Sequence, residues 1–453
     1  MRKGLVLVAA CCTTALFASD RQVSPKIDAY IQTYVQTNNF GGAVLVKRGK
    51  RVLFEKAYGL SDREHRVPNT TATRFHVASV SMQFTAAAVL RLVDQGTLSL
   101  DTRIGDYVTG IEGAEKITVR DLLTERSGLP DINGFPDYGE VLEHHQTPSS
   151  LIAKLEGHPV LFEPGTKYLH EEHSAYNLLA LIVEKKTGYP FATAVERLVL
   201  RPAGLSSSGI DDDLVMDKSG LAAGYEPEGV SGLKPASEIH WSAKTGNASV
   251  YTTVEDEARF VEALFQGKFL GPVSRSAVLD TMERVGYGWF RGENKRFGQT
   301  AFYMNGRAPG FAAFVLYVPR EDLTVVAFSN IYSSATTSMG YDIAAIALGL
   351  PNTEFQPAGR ALSADELKDS KGSFRFGQDF YQPNGVVDLA ASGSDLVLEW
   401  GSGGASPLIP LERDHFMDRS YWEEVKIERD SAGQATALRY GDFRGELVKA
   451  PVR

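Results

Sequence analysis

The chain has 453 residues, enough for one large domain and a smaller one. Its 43% hydrophobic and 23% charged content is typical of a soluble globular protein and argues against disorder. The formal net charge of -9 argues against nucleic acid as a partner, because binding phosphates requires a basic surface. After the N-terminus the sequence contains no apolar run long enough to span a bilayer, so we predict no transmembrane segment in the mature chain.

The N-terminus has the pattern of a secretory signal. A basic dipeptide precedes an apolar stretch that closes with small residues. With cleavage after Ala18 or Ser19, residues 1–19 form a signal peptide and the protein is exported, either periplasmic or secreted. The central VAAC also resembles a lipoprotein signal, so lipid anchoring stays open. Both cysteines, Cys11 and Cys12, lie in this segment, so the mature chain would have no disulfide and no cysteine metal site.

The remaining chain divides into a long mixed part and a shorter β-rich part. Apolar spacing and turn residues predict, in chain order, a helix over 25–39, a hairpin over 41–59, helices over 79–95, 117–123, 174–186 and 254–265, and a hairpin over 310–329. Helices between hairpins indicate an α+β domain with an antiparallel sheet over residues 24–350. Short Gly-punctuated runs such as GVVDLAA and DLVLEW predict a small C-terminal β-rich domain over residues 358–453.

Several stretches of the long part carry a family resemblance: NTTATRFHVASVS, ITVRDLLTERSGLPD, AYNLLALIVEKKTGYPF and APGFAAFVLYVPREDLTVVAFSN. Residues 26 to about 350 resemble the serine β-lactamase-like superfamily, in the branch of class C β-lactamases, D-aminopeptidases and esterases. The resemblance implies an antiparallel sheet flanked by helices, as in β-lactamases and penicillin-binding proteins. The C-terminal stretch SPLIPLERDHF resembles the β-rich appendage of many such proteins.

The first motif of that family is Ser-x-x-Lys at a helix start. Residues three apart share a helix face, so the lysine can take the serine proton while the helix N-terminus favours the developing negative charge. The resemblance places Ser79 at the nucleophile position and Met82 at the lysine position. A thioether is only a weak acceptor, and losing a general base costs about 10²–10⁴-fold in rate.

The second motif is Tyr-x-Asn ahead of a helix, and here the tyrosine is absent. The segment PGTKYLHEEHSAYNLL is one residue longer than the family spacing, so the tyrosine position falls on His170 or Glu171. The loop offers a run of titratable groups instead, from His170 to His173, and such groups can act as acids or bases.

The third motif is Lys-Thr-Gly or His-x-Gly on the strand beside the site. Anchored on the following Pro-Gly-Phe, it falls on Met304, Asn305 and Gly306, so its cationic or imidazole member is absent. Gly306 persists where close backbone approach matters, and the resemblance implies that Arg307 offers its backbone N–H to an oxyanion. The letters KTG at 244–246 spell the motif but precede a different segment, so we set them aside.

Two functions fit these replacements. In the first, Ser79 is the nucleophile of a serine hydrolase acting on ester or amide bonds, activated by His170 or His173 with a glutamate of the same loop orienting the imidazole. Activation of a water by Glu171 is a variant. In the second, the chain is a non-catalytic ligand-binding relative, because methionines such as Met82 would make the cleft more apolar.

The predicted substrate-binding residues are Met82, Asn305, Gly306 and Arg307. We expect a small-molecule or peptide-like substrate and no cofactor. No metal site is predicted either, because the two histidines lack the HExxH spacing. The sequence leaves the oligomeric state open.

Overall fold

The computed structural model describes residues 7–169, 172–214, 218–267, 269–279, 285–352, 359–401 and 403–449. For residues 7–21 and 449 it describes the backbone alone. Two of the predicted site residues, His170 and Glu171, therefore lie outside the described residues.

The helices of the described ranges are α1 Leu7–Gln36, α2 Ser81–Asp94, α3 Val119–Leu123, α4 Tyr138–Leu142, α5 Pro148–Ala153, α6 His173–Thr187, α7 Phe191–Val195, α8 Arg201–Ala203, α9 Val254–Phe265, α10 Pro272–Leu279, α11 Ala335–Ala347 and α12 Ala364–Asp369. A π-helical turn, Glu196–Leu200, joins α7 to α8, and 3-10 turns occupy Ala78–Val80, Ile104–Asp106, Ala114–Lys116, Ile132–Gly134, Trp241–Lys244 and Pro319–Glu321.

The strands up to residue 329 are β1 Gly42–Arg48, β2 Arg51–Tyr58, β3 Leu60–Asp62, β4 Val67–Pro68, β5 Phe75–His76, β6 Gly209–Ile210, β7 Tyr225–Glu228, β8 Gly232–Pro235, β9 Val250–Thr252, β10 Val285–Gly286, β11 Trp289–Asn294, β12 Gln299–Ala308, β13 Phe311–Val318 and β14 Leu323–Ser329. Those that follow are β15 Gly372–Arg375, β16 Val386–Ser392, β17 Asp395–Trp400, β18 Ala405–Glu412, β19 His415–Asp418, β20 Glu424–Arg429, β21 Ala435–Tyr440 and β22 Phe443–Lys449.

A seven-stranded antiparallel sheet forms the centre of the larger domain, with the order β10-β11-β12-β13-β14-β1-β2. The N-terminal hairpin joins it through β1 and β14, where Gly42 pairs with Ser329 and Arg48 pairs with Leu323. All residues of β13 and β14 are buried, so both faces of these strands contact the protein interior. Their sequences are therefore largely apolar throughout and do not alternate between apolar and polar residues. The predicted antiparallel sheet flanked by helices is confirmed.

Helices cover both faces of this sheet. On one face α2, α6 and α9 contribute to the largest apolar cluster, which includes Phe84, Leu178 and Phe260. On the other face α1 and α11 pack together, with residues such as Ile27 and Ile343 in a second cluster. The β12 strand and the start of α2 meet at the first face, and this meeting positions the candidate site.

The C-terminal region is a closed antiparallel barrel of eight strands, β15 to β22, in which β15 pairs with β22. Its interior holds a separate apolar cluster that includes Phe374, Leu398 and Leu438. The predicted C-terminal β-rich domain is confirmed, and closure leaves this barrel without free strand edges.

Buried contacts fix the barrel against the larger domain. Arg419 is fully buried, and its guanidinium donates to Asn39 Oδ1 at 3.0 Å and to the Gly229 carbonyl at 2.6 Å. The Trp422 ring lies 5.6 Å from the Tyr34 ring. These contacts join the barrel to α1 and to the segments around Asn39 and Gly229 of the larger domain.

The N-terminal helix is longer than predicted. The sequence predicts a helix from residue 25, whereas α1 already begins at Leu7 and contains Pro25. Within the ranges that the structure covers, no helix has the length and apolar character needed to cross a membrane. The signal peptide and export stay predictions.

Candidate active site

Ser79 lies in the 3-10 turn that leads directly into α2. The residue before it, Ala78, has a φ of +47°, a left-handed conformation that is strained for a residue with a side chain. The first residue of α2 is joined to β9, because Ser81 Oγ accepts a hydrogen bond of 3.0 Å from the Val250 amide. The start of α2 therefore holds Ser79 on a strained, well-anchored backbone, as is common at functional sites.

The β12 strand passes directly over this turn. A Cβ atom built on Gly306 would lie 2.4 Å from the backbone nitrogen of Ser79 and 3.0 Å from the Ala78 side chain. Only glycine permits so close an approach. The persistence of Gly306, noted from the sequence, thus has a direct steric reason.

A cleft of about 750 Å³ opens at this junction. Six of the eight predicted site residues line it, and they are Ser79, Met82, His173, Asn305, Gly306 and Arg307. The three motif segments therefore converge on one cleft, and the roles assigned to their residues stay predictions.

His173 is the first residue of α6, and its imidazole is paired with a carboxylate. Its Nδ1 lies 2.9 Å from Asp131 Oδ2, and both side chains are largely buried. The other oxygen of Asp131 accepts from the Asn133 amide at 3.1 Å, which fixes the carboxylate on its turn. This arrangement of a base and an orienting acid is the one found beside activated serines. Asp131 ends the family-like stretch TERSGLPD, but nothing in the sequence indicated its contact with His173.

Glu172, next to His173 in the chain, has a structural rather than a cleft-lining position. It is fully buried and accepts backbone hydrogen bonds from Gly128 at 2.8 Å and from Ser127 at 3.2 Å. Burial raises the pKa of Glu172 to about 8, against the opposing effect of these hydrogen bonds. Glu172 therefore anchors the entry of α6 to the loop before Leu129 and does not line the cleft.

Two methionines form an apolar floor beside Ser79. Met82 and Met304 line the cleft but are only 2% and 4% exposed, and both belong to the main apolar cluster. The side chain at the family's lysine position is thus a packing residue with little surface to offer a substrate. Any proton acceptor for Ser79 must come from another part of the cleft.

Arg307 is held by the barrel. Its guanidinium carbon lies 4.1 Å from the Tyr421 ring centre and 4.9 Å from the Tyr332 ring centre, and it donates to the Ser420 carbonyl at 3.0 Å. Tyr421 and Trp400 of the barrel also line the cleft. The sequence motifs gave no sign of this wall, because it depends on how the two domains dock.

Lys244 also lines the cleft, together with Asn247. Burial lowers the pKa of Lys244 to about 8, while Asp131 acts in the opposite direction. The letters KTG at 244–246 do not lie on β12, which carries Met304 to Gly306 as predicted from the sequence. The fold nevertheless brings Lys244 to the same cleft, which no sequence motif indicated.

Comparison with known proteins agrees with the fold described above. A family model described as Beta-lactamase matches residues 27–348. The esterase EstB of Burkholderia gladioli is 29% identical over 55% of this chain and 72% of its own length. The D-aminopeptidase of Brucella anthropi is 27% identical over 72% of this chain and 63% of its own. The octameric penicillin-binding protein homologue from Pyrococcus abyssi superposes with a TM-score of 0.65 at 20% identity, covering 93% of this chain and 99% of that one.

Proposed function

The chain belongs to the β-lactamase family of serine hydrolases, and we propose that it cleaves ester or amide bonds with a rebuilt proton-transfer system. The observation that carries the proposal is that His173, whose Nδ1 is paired with Asp131, lines the same cleft as Ser79. No family lysine or tyrosine stands in the first two motifs, so an imidazole with an orienting carboxylate is the best-suited base among the described residues of the cleft.

In the proposed reaction, neutral His173 takes the proton of Ser79 Oγ as this oxygen attacks the substrate carbonyl. Because Nδ1 is bound to Asp131, Nε2 is the nitrogen that would accept the proton. The carbonyl oxygen becomes an oxyanion, and the backbone N–H groups of Ser79 and Arg307 would stabilise it.

The tetrahedral intermediate then collapses. The bond from the carbonyl carbon to the leaving alcohol or amine breaks, and His173 returns its proton to that group. This leaves an ester between Ser79 and the acyl group. A water molecule, deprotonated by the same imidazole, attacks the ester in the second half. The bond from the acyl carbon to Ser79 Oγ then breaks as the imidazolium returns the proton to Oγ, which releases the acid and the free serine.

The proposal includes export and a small or peptide-like substrate. The basic, apolar and small-residue sequence of positions 1–19 supports export to the periplasm or the medium. The size of the cleft, about 750 Å³, supports a substrate of small-molecule or short-peptide size.

The test is the hydrolysis of 4-nitrophenyl acetate and butyrate by the wild type and by Ser79→Ala. We expect activity that rises with pH as His173 loses its proton and that disappears in Ser79→Ala. Equal inertness of both proteins towards esters and amides would contradict the hydrolase proposal and favour the non-catalytic ligand-binding relative.

A further inference from the structure

We propose that Lys244 and Asn247 form a carboxylate-binding subsite in the cleft, so that the preferred substrate of Ser79 carries a carboxylate. This inference rests on the proposed function for its substrate, although the subsite itself can be tested without catalysis. It adds a substrate class that the motif residues do not specify.

The two residues belong to one tight turn. The Asn247 and Ala248 amides both donate to the Lys244 carbonyl, at 3.1 and 2.9 Å. Lys244 ends the 3-10 turn Trp241–Lys244, and Asn247 lies one turn further along the chain. Both side chains line the cleft that contains Ser79. A single short segment therefore presents two hydrogen-bond donors of different kinds to the same space.

Neighbouring helices clamp this turn. Thr85 Oγ1 of α2 donates to the Gly246 carbonyl at 2.6 Å, and Asn177 Nδ2 of α6 donates to the Thr245 carbonyl at 2.7 Å. Gly246 has a φ of +89°, and a Cβ atom there would lie 2.2 Å from the Tyr176 carbonyl oxygen. The turn is thus held against α2, which follows Ser79, and against α6, which begins with His173, and a rigid binding group loses little freedom on binding.

The side-chain amide of Asn247 has no hydrogen-bond partner in the described part of the chain. The residue is 1% exposed, and neither Nδ2 nor Oδ1 reaches an acceptor or donor there. Buried polar side chains are nearly always hydrogen-bonded, so an unsatisfied amide at a cleft indicates a missing ligand group. Nδ2 can donate to a carboxylate oxygen, while Oδ1 can accept from a substrate N–H or from water.

Lys244 supplies the charge. No hydrogen bond or ion pair joins its Nζ to the described residues, and Nζ lies 4.8 Å from the centre of the Tyr138 ring. The carboxylate of Asp131, which acts to raise the pKa of Lys244, is itself bound to His173. Burial lowers the pKa of Lys244 to about 8, so the ammonium form still predominates at neutral pH. A partly buried ammonium beside a donating amide suits a carboxylate.

The first experiment compares two substrates of matched length. One is the 4-nitrophenyl monoester of glutaric acid, with a free carboxylate, and the other is its methyl ester, which is neutral. We expect the wild type to prefer the carboxylate by about tenfold or more in kcat/KM, and Lys244→Met to abolish the preference. Asn247→Asp, which is similar in size but repels an anion, should lower the same ratio. Lys154→Met is the matched control, because Lys154 binds Asp137 outside the cleft.

The second experiment measures binding without chemistry. Monomethyl glutarate is titrated calorimetrically into Ser79→Ala protein, with dimethyl glutarate as the neutral comparison. We expect binding of the monoanion alone, and its loss in Ser79→Ala/Lys244→Met and in Ser79→Ala/Asn247→Asp.

The outcomes separate the two proposals. Lys244-dependent binding by a protein that hydrolyses no ester keeps the subsite and overturns the hydrolase proposal. Hydrolysis with no carboxylate preference, together with no binding of monomethyl glutarate, overturns the subsite alone. A carboxylate preference that Lys244→Met and Asn247→Asp both leave unchanged also overturns it.

Discussion

The backbone nitrogen of Ser79 lies 2.4 Å from the point that a Cβ atom on residue 306 would occupy. The turn that contains Ser79 and β12 are therefore in backbone contact, with no room for any side chain between them. This contact sets the position of Ser79 relative to the Arg307 amide, and both N–H groups belong to the proposed oxyanion site. This backbone contact between the first and third motif segments is present although the lysine, tyrosine and cationic residues of the family motifs are replaced.

Substituting Gly306 tests that contact. Gly306→Ala must push β12 away from Ser79, so we expect kcat/KM for 4-nitrophenyl butyrate to fall by about 100-fold or more. Gly292→Ala, on the neighbouring β11, is the control, since a Cβ there meets nothing within 4 Å. Full activity in Gly306→Ala would contradict the proposed geometry.

Removing the imidazole tests the proposed base. His173→Ala should lower kcat by about 10²–10⁴-fold, and Asp131→Asn should lower it less, because the imidazole loses its orientation but remains present. The control is His65→Ala, since His65 forms an exposed pair with Asp62 outside the cleft. Rates that are unchanged in His173→Ala would assign the proton transfer to another group.

Glu172 should matter for stability. Glu172→Ala leaves the buried amides of Ser127 and Gly128 without an acceptor, and each such group costs about 1–3 kcal/mol. We expect the free energy of unfolding in urea to fall by about 2–5 kcal/mol. Glu163→Ala, at an exposed ion pair with Lys116, should change it by about 0.5 kcal/mol or less. An equal effect of the two substitutions would contradict the anchoring role.

Glu257 gives stability a pH dependence. Both of its carboxylate oxygens are buried without a partner in the part of the chain described, and burial, helped by Asp256, raises the pKa from 4.5 to about 8. A raised native pKa means that its contribution to stability is complete below 4.5 and is lost as pH rises through about 8.

The neutral variant Glu257→Gln removes that titration. Between about pH 5 and about pH 9, we expect the wild type to lose up to about 4 kcal/mol of unfolding free energy more than Glu257→Gln, since one pKa unit corresponds to about 1.4 kcal/mol. Glu255→Gln, exposed on the same helix, should titrate like the wild type. Identical pH profiles for the wild type and Glu257→Gln would contradict a protonated Glu257.

Local patterns predicted most of the fold. The helix predicted over 254–265 is α9, and the apolar runs around Asp322 are β13 and β14, because period and turn residues are local properties of the sequence. The helix predicted from residue 25 begins at Leu7, so its N-terminal boundary was wrong, whereas the signal peptide assigned to residues 1–19 stays a prediction.

The site was predictable only as far as its motifs. Ser79, Asn305 and Gly306 line one cleft, and this could be predicted because the family resemblance relates their positions. The position of Lys244 at this cleft and the pairing of Asp131 with His173 depend on tertiary packing between segments far apart in the chain, and no local pattern reports such packing.

Covalent labelling tests the central claim most directly. The wild type and Ser79→Ala are treated with a fluorophosphonate probe, and mass spectrometry locates the adduct after digestion. The account predicts one adduct, on the peptide that contains Ser79, that is absent in Ser79→Ala and much slower to form in His173→Ala. No adduct in the wild type, or an adduct that persists in Ser79→Ala, would contradict it.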